Sequence, residues 1–238
     1  TTLSEGRREQ LVLLADRFGI PIVEDDPYGQ LRYEGEHLTP LVVLDRVNLR
    51  RDNGYSIGNV IYLSTFSKTL APGLRLGWIV APPDVITKLI QLKQGADLHT
   101  STFAQIVAYE VARDNFMDEH IKVIRRVYGE RRDAMLAALE EYFPPEVSWT
   151  RPKGGLFLWV TLPEGMDCQK LFESAIKENV AFVPGESFYA SNGNHQGRRH
   201  FRLNFSYVPP DKIREGVRRL SIAVKGQMAA IFPAVGTR

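Results

Sequence analysis

Cysteine is almost absent from this chain of 238 residues. The single Cys168 allows no disulfide framework, and one thiol without a partner reads as inert. Long apolar runs are missing too, none approaching the ~20 residues of a membrane span. Glu5 and Glu9 stand where a signal peptide would need an apolar stretch. Charge of one sign is lacking: 30 Lys and Arg against 28 Asp and Glu leave +2, too balanced for a nucleic-acid or membrane surface. His37, His99, His120, His195 and His200 have no ligand spacing, so no zinc site is expected. G-x-S-x-G, Walker and dinucleotide-binding patterns do not occur. These absences point to a soluble cytoplasmic protein whose chemistry, if any, lies outside the metal, thiol and serine-hydrolase classes.

What is present is ordinary globular material, 44% hydrophobic and 24% charged, enough for one large domain or two modest ones. The chain opens at Thr1 without a Met and runs straight into a helix over 3–18. Thr2 and Glu5 suggest a capping box, Leu11, Leu14, Ala15 and Phe18 its apolar positions, and Gly19 its stop. A trimmed N-terminus is expected. Strands are predicted at 21–25, 60–65 and 76–81, with Leu41–Leu44 a strand or turn in a loop-like stretch. Helices follow at about 83–94 and 100–114, then a long one from about 116 to Tyr142. Beyond Pro144-Pro145 come strands at 147–150, 156–162, 180–183 and 200–206 and helices at 167–178 and 210–224. The Arg pairs at 7–8, 125–126, 131–132, 198–199 and 218–219 read as solvated helix faces. The pattern predicts two α/β units, residues 1–115 and 116–238, with the boundary near 112–118. The apolar tail from Met228 to Pro233 suggests no element.

Three segments could carry chemistry. Lys68 sits among Thr65, Ser67 and Thr69 just past an apolar strand, where a lysine can lose its proton and attack a carbonyl. Alone, such a residue is far more often a surface lysine, here lying past Phe66. Arg75, seven residues on, could complete a phosphate cup with the Thr65 and Ser67 hydroxyls. Glu24-Asp25-Asp26-Pro27-Tyr28 follows another apolar strand, at the position where open α/β sheets bind ligands, although Asp-Pro followed by Tyr-Gly also makes a plain turn. Arg202 alternates with Phe201, Leu203 and Phe205, so its planar fork could take a carboxylate or simply face water.

Together these segments resemble the fold-type I pyridoxal-phosphate aminotransferases of class I/II. The resemblance rests on the Asp25-x-x-Tyr28 pair, on Thr65-Phe66-Ser67-Lys68 with Arg75, and on the Arg202-Leu203-Asn204-Phe205-Ser206 strand, and it covers about 1–225. Glu24–Tyr28, Thr65–Trp78 and Gln94–Thr100 look most like the 2-aminoadipate/kynurenine branch. It implies the C-terminal part of the family's large domain, a mostly parallel sheet flanked by helices, followed by the small α/β domain. It implies pyridoxal 5'-phosphate as cofactor, an amino acid and a 2-oxo acid as substrates, and a homodimer. Lys68 would bind the cofactor covalently and shuttle the substrate's α-proton. Asp25 would keep the pyridine nitrogen protonated and Tyr28 would bond the ring oxygen. Thr65, Ser67 and Arg75 would hold the phosphate, and Arg202 the substrate α-carboxylate. Pro152–Phe157 is similar to the family's small-domain hairpin near the substrate, though it also reads as a plain turn.

The family's glycine-containing phosphate loop, its ring-stacking aromatic and an Asn near the ring oxygen have no counterpart in this sequence. The chain therefore looks like the C-terminal portion of an aminotransferase, whose first three strands would leave apolar surface open and the isolated chain poorly soluble. The same features would also suit an effector-binding domain of a transcription regulator, or an inactive fragment.

Overall fold

The computed structural model describes residues 2–48, 58–190 and 197–232. Two compact units divide it, Thr1–Arg125 and Arg126–Arg238.

Unit 1 begins with helix α1 (Glu5–Phe18). Its N-cap is Ser4, whose side chain caps nothing, so Thr2 and Glu5 do not form the expected box. With the helix opening at Glu5, that carboxylate stands on the first turn itself and accepts instead from the Thr39 hydroxyl at 3.3 Å. Gly19 ends the helix in the left-handed region, its N–H reaching back to Ala15 and Asp16. The buried face is Val12 and Ala15; Leu11, Leu14 and Phe18, expected to face inward, are exposed. Strand β1 (Ile22–Asp25) follows, half-exposed despite its apolar sequence, with Val23 61% open.

Leu41–Asn48 is helix α2 rather than a strand or turn. Pro40 presets the first turn, accepting from Val43 and Leu44, and the 3.6-residue period brings Leu41 and Leu44 onto Val12 and Val60. That packing overrides the strand preference of Val42 and Val43. Strand β2 (Val60–Thr65) pairs parallel with β1, and strand β3 (Gly77–Val80) pairs antiparallel with β2. Helices α3 (Pro83–Asp97) and α4 (Thr102–Ala112) complete the unit; α3 buries none of its residues. The long helix α5 (Phe116–Tyr142) runs on into unit 2.

Unit 2 carries an antiparallel sheet in the order β4-β5-β7-β6: β4 (Ser148–Trp149), β5 (Phe157–Thr161), β6 (Val183–Pro184) and β7 (His200–Asn204). One face is sealed. Leu158, Val160, Phe201 and Leu203 are at most 5% exposed, as are Leu171 and Ala175 of helix α6 (Cys168–Lys177) and Ile213, Val217, Leu220 and Val224 of helix α7 (Pro210–Ile231). Helix α7 extends a turn and more past residue 224, so most of the apolar tail is helical, tied down by Gln227 donating to the Asp167 carbonyl at 3.0 Å. Pro233 and His195 lie outside the described residues. Arg132 is buried at 6% exposure, bonding the Pro152 carbonyl at 2.9 Å, so this member of an Arg pair is structural rather than solvated. Cys168 is buried and burial pushes its thiol pKa up, which keeps it protonated and inert. Among the described residues no helix is long and apolar enough to cross a membrane, and no cluster of metal-ligating side chains occurs.

Candidate active site

Topology gathers six of the seven candidate residues. Strands β1 and β2 run parallel with Asp25 opposite Leu63, so the segments that follow them, Asp25–Tyr28 and Thr65–Lys68, leave the sheet at the same end. Strand β3 runs the other way with Gly77 opposite Thr65, so Arg75 enters the sheet at that end too. The chain thus delivers an acid, a phenol, two hydroxyls, an amine and a guanidinium to one sheet end, which is where open α/β sheets bind ligands.

The lysine segment is held firmly. Thr65 Oγ1 lies 2.7 Å from the Leu76 carbonyl, 2.9 Å from Ser67 Oγ, and accepts from the Ser67 amide at 3.1 Å. Leu70 and Ala71 both donate to the Phe66 carbonyl, winding residues 66–70 into a turn. Phe66 packs on Trp78 with ring centroids 4.7 Å apart, and Thr69 is buried. In this frame Lys68 is half-buried, and its amine has no hydrogen-bond or ion-pair partner among the described residues. Arg75 adopts the left-handed region at φ 55°, a backbone uncommon for a residue with a Cβ. Among the described residues its guanidinium hydrogen-bonds only the Pro72 carbonyl, at 3.3 Å.

Three consecutive acids follow β1, and their partners separate them. Glu24 accepts from Arg8 at 3.4 Å and from the Val42 amide at 3.3 Å. Asp26 accepts from the Tyr62 hydroxyl at 3.2 Å, while its backbone carbonyl accepts from Ser64 at 2.9 Å and its amide donates to Leu63. Burial, with the neighbouring Asp26 charge, raises the Tyr62 phenol pKa, so it stays a donor. Asp25 between them is exposed, and its carboxylate has no partner among the described residues. Glu24 and Asp26 brace the turn, and Asp25 takes no part in that bracing. Tyr28 is half-buried three residues on, its carbonyl accepting from Leu31.

Arg202 lies in unit 2, on β7 opposite Trp159. It is on the face of the sheet that is not sealed, with His200 and Asn204. Its guanidinium carbon stands 4.0 Å from the Phe157 ring centroid and 4.7 Å from that of Phe188. No carboxylate among the described residues pairs with it. Arg202, Phe157, Val183 and Asn204 border a cavity of about 460 Å³ that Leu203, Ile213, Val217 and Leu220 of the sealed side also line. The Pro152–Phe157 segment leads into β5, with Gly155 at φ +79°, a backbone only glycine adopts without strain.

Sequence reasoning missed the Tyr62–Asp26–Ser64 brace and both phenyl rings beside Arg202. The two-residue alternation of β2 puts Tyr62 and Ser64 on one face, a signal that could have suggested the brace. Nothing in the spacing of Phe188 points to Arg202.

Comparison with known proteins adds a family. Residues 2–220 match the family model described as aminotransferase class I and II. The chain is 48% identical over 227 residues to aromatic-amino-acid aminotransferase 1 of Thermococcus litoralis, covering 95% of this chain and 51% of that protein. It superposes with a TM-score of 0.87 on LysN, the alpha-aminoadipate aminotransferase of Thermus thermophilus complexed with N-(5'-phosphopyridoxyl)-L-leucine, at 43% identity over 95% of this chain and 55% of that one. It is also 34% identical to YisV, an uncharacterized HTH-type transcriptional regulator of Bacillus subtilis, over 92% of this chain and 42% of that protein. The chain thus spans about half the length of the relatives it matches.

Proposed function

The chain belongs to the class I and II aminotransferases, and from that premise we propose that it takes part in moving an amino group between an amino acid and a 2-oxo acid with pyridoxal 5'-phosphate. The observation that carries this reading is the delivery of an amine and a carboxylate, both unpaired among the described residues, and a guanidinium to one end of the three-stranded sheet.

The donor set fits the cofactor. Lys68 offers the amine for covalent attachment, Asp25 a carboxylate for the pyridine nitrogen, and Tyr28 a phenol for the ring oxygen. Arg75, Ser67 and Thr65 offer charge and hydroxyls to the phosphate. When bound, the cofactor supplies an electron sink for the pair left by the substrate's α-proton. Lys68 Nζ, once the substrate amine has taken its place and set it free, would accept that proton from the substrate Cα, and the turn braced by Thr65 would hold the amine in place to do so. Asp25 would face the ring nitrogen and favour its protonated form, a role its two neighbours cannot share because their carboxylates are engaged. Arg202 takes the substrate α-carboxylate through its two parallel N–H donors. The substrate is a 2-aminoadipate-like amino acid, or a broader set; the aminoadipate and aromatic names of the relatives support that range. The protein works as a cytoplasmic homodimer.

A sensing domain of a transcription regulator is the second reading, supported by the Bacillus subtilis relative. Turnover separates the two. The intact protein carrying this chain, given the cofactor, L-2-aminoadipate and 2-oxoglutarate, is expected to form glutamate, and Lys68→Ala to abolish it. Cofactor binding without turnover on any amino acid would favour sensing.

A further inference from the structure

Arg202 differs from most of the paired arginines of unit 2. Arg151, Arg198, Arg214, Arg218 and Arg219 each engage a glutamate, whereas Arg202 has no acid among the described residues and lies against two phenyl rings. We propose that Phe157 and Phe188 are positioning residues that hold the Arg202 guanidinium as a planar anion receptor, with its N–H edge kept free for a carboxylate. The proposal rests on the reading of Arg202 as the carboxylate-binding residue.

Each ring is fixed by its own contacts. Phe157 is on β5 opposite Asn204, one place along the same face from the Trp159–Arg202 pair, so it reaches Arg202 diagonally. Phe188 closes the short 3-10 turn Gly185–Phe188. That turn is pressed onto the start of β7: a Cβ at Gly185 would stand 2.6 Å from the His200 carbonyl and 2.7 Å from that of Gly197. The close approach that only glycine permits is what brings Phe188 over the sheet. Trp159 meets Phe188 edge-on with centroids 5.3 Å apart and stacks on His200 at 5.7 Å, completing an aromatic wall around the arginine.

A guanidinium on a π-face keeps all five in-plane donors, because the attraction acts through the face and not the N–H edge. An acid in the same place would consume two of them. The rings therefore restrict a long side chain without spending what a bidentate carboxylate needs, and the receptor meets its ligand preorganised. Glu186, the acid nearest in sequence to Phe188, pairs with Arg198 at 3.1 Å and so does not compete.

The test uses the intact protein, with glutarate as a carboxylate probe that has no amino group to transfer. Phe188→Leu and Phe157→Leu keep apolar bulk and remove the ring; Phe188→Tyr restores it. Each Leu variant is expected to weaken glutarate binding about 3- to 30-fold, the range of a cation–π contact, and to raise the amino-acid KM equally with kcat little changed. Phe188→Tyr should bind as the parent does, and Arg202→Gln should lose glutarate binding. If both Leu variants bind glutarate normally while Arg202→Gln does not, the clamp is overturned and the reading of Arg202 stands. If Arg202→Gln binds as well as the parent, the receptor itself is overturned.

Discussion

The two sheets of this protein are made of similar strands and end in opposite conditions. In unit 2, Leu158, Val160 and Phe201 are fully buried, whereas in unit 1 Val23, Ile79 and Val80 remain 61%, 42% and 49% exposed. Composition does not explain the contrast; cover does. Helices α6 and α7 each contribute a buried stripe to unit 2, while α3 contributes no buried residue and α1 only two. Unit 2 thus carries its own core. Unit 1 concentrates the residues proposed for cofactor chemistry on a sheet whose apolar side chains are left partly open.

Core truncations placed in each unit should differ most. Phe201→Ala, removing a ring packed 4.4 Å from that of Phe182, is expected to cost about 3–5 kcal/mol in denaturant unfolding. Ile79→Ala, at a half-open site, is expected to cost less than about 1 kcal/mol. Equal losses would mean that unit 1 is covered as well as unit 2.

A smaller effect sharpens the picture on the closed side. Glu215 accepts from Arg218 and Arg219, and these bonds pull its pKa from 4.5 to about 2. A lowered carboxylate pKa adds stability above the ordinary value and loses it as pH falls through the lowered one. Glu215→Gln should therefore lower the melting temperature slightly at pH 7, and the difference from the parent should vanish between pH 4.5 and about 2. The site is exposed, so the loss at pH 7 should be modest and shrink with added salt.

The sequence was legible where local rules suffice. Helix α5 and the strands β2, β5 and β7 follow from periodicity. The convergence of Asp25, Tyr28, Thr65, Ser67, Lys68 and Arg75 follows once β1 and β2 are parallel, and that fact lies in the topology rather than in any motif. Helix α2 was illegible because Val42 and Val43 favour a strand until Leu41 and Leu44 meet Val12 and Val60. The inward face of α1 was misread for a related reason: Leu11, Leu14 and Phe18 look like a core stripe by spacing, and whether they are buried depends on what covers them. The three acids after β1 look interchangeable in sequence; only Tyr62 and Val42, distant in the chain, separate Asp25 from the others. Phe188 reaches Arg202 through the contact of Gly185 with β7, which no spacing announces.

The claim on which the account turns is that these residues organise a cofactor site around one lysine. Its most direct test is titration of the protein with pyridoxal 5'-phosphate, followed by borohydride reduction and mapping of the labelled peptide. Saturable labelling confined to Lys68 is expected, abolished by Lys68→Arg and weakened by Asp25→Asn or Arg75→Ala. Labelling of the intact protein that is spread over many lysines, or unchanged when Lys68 is replaced, would contradict it.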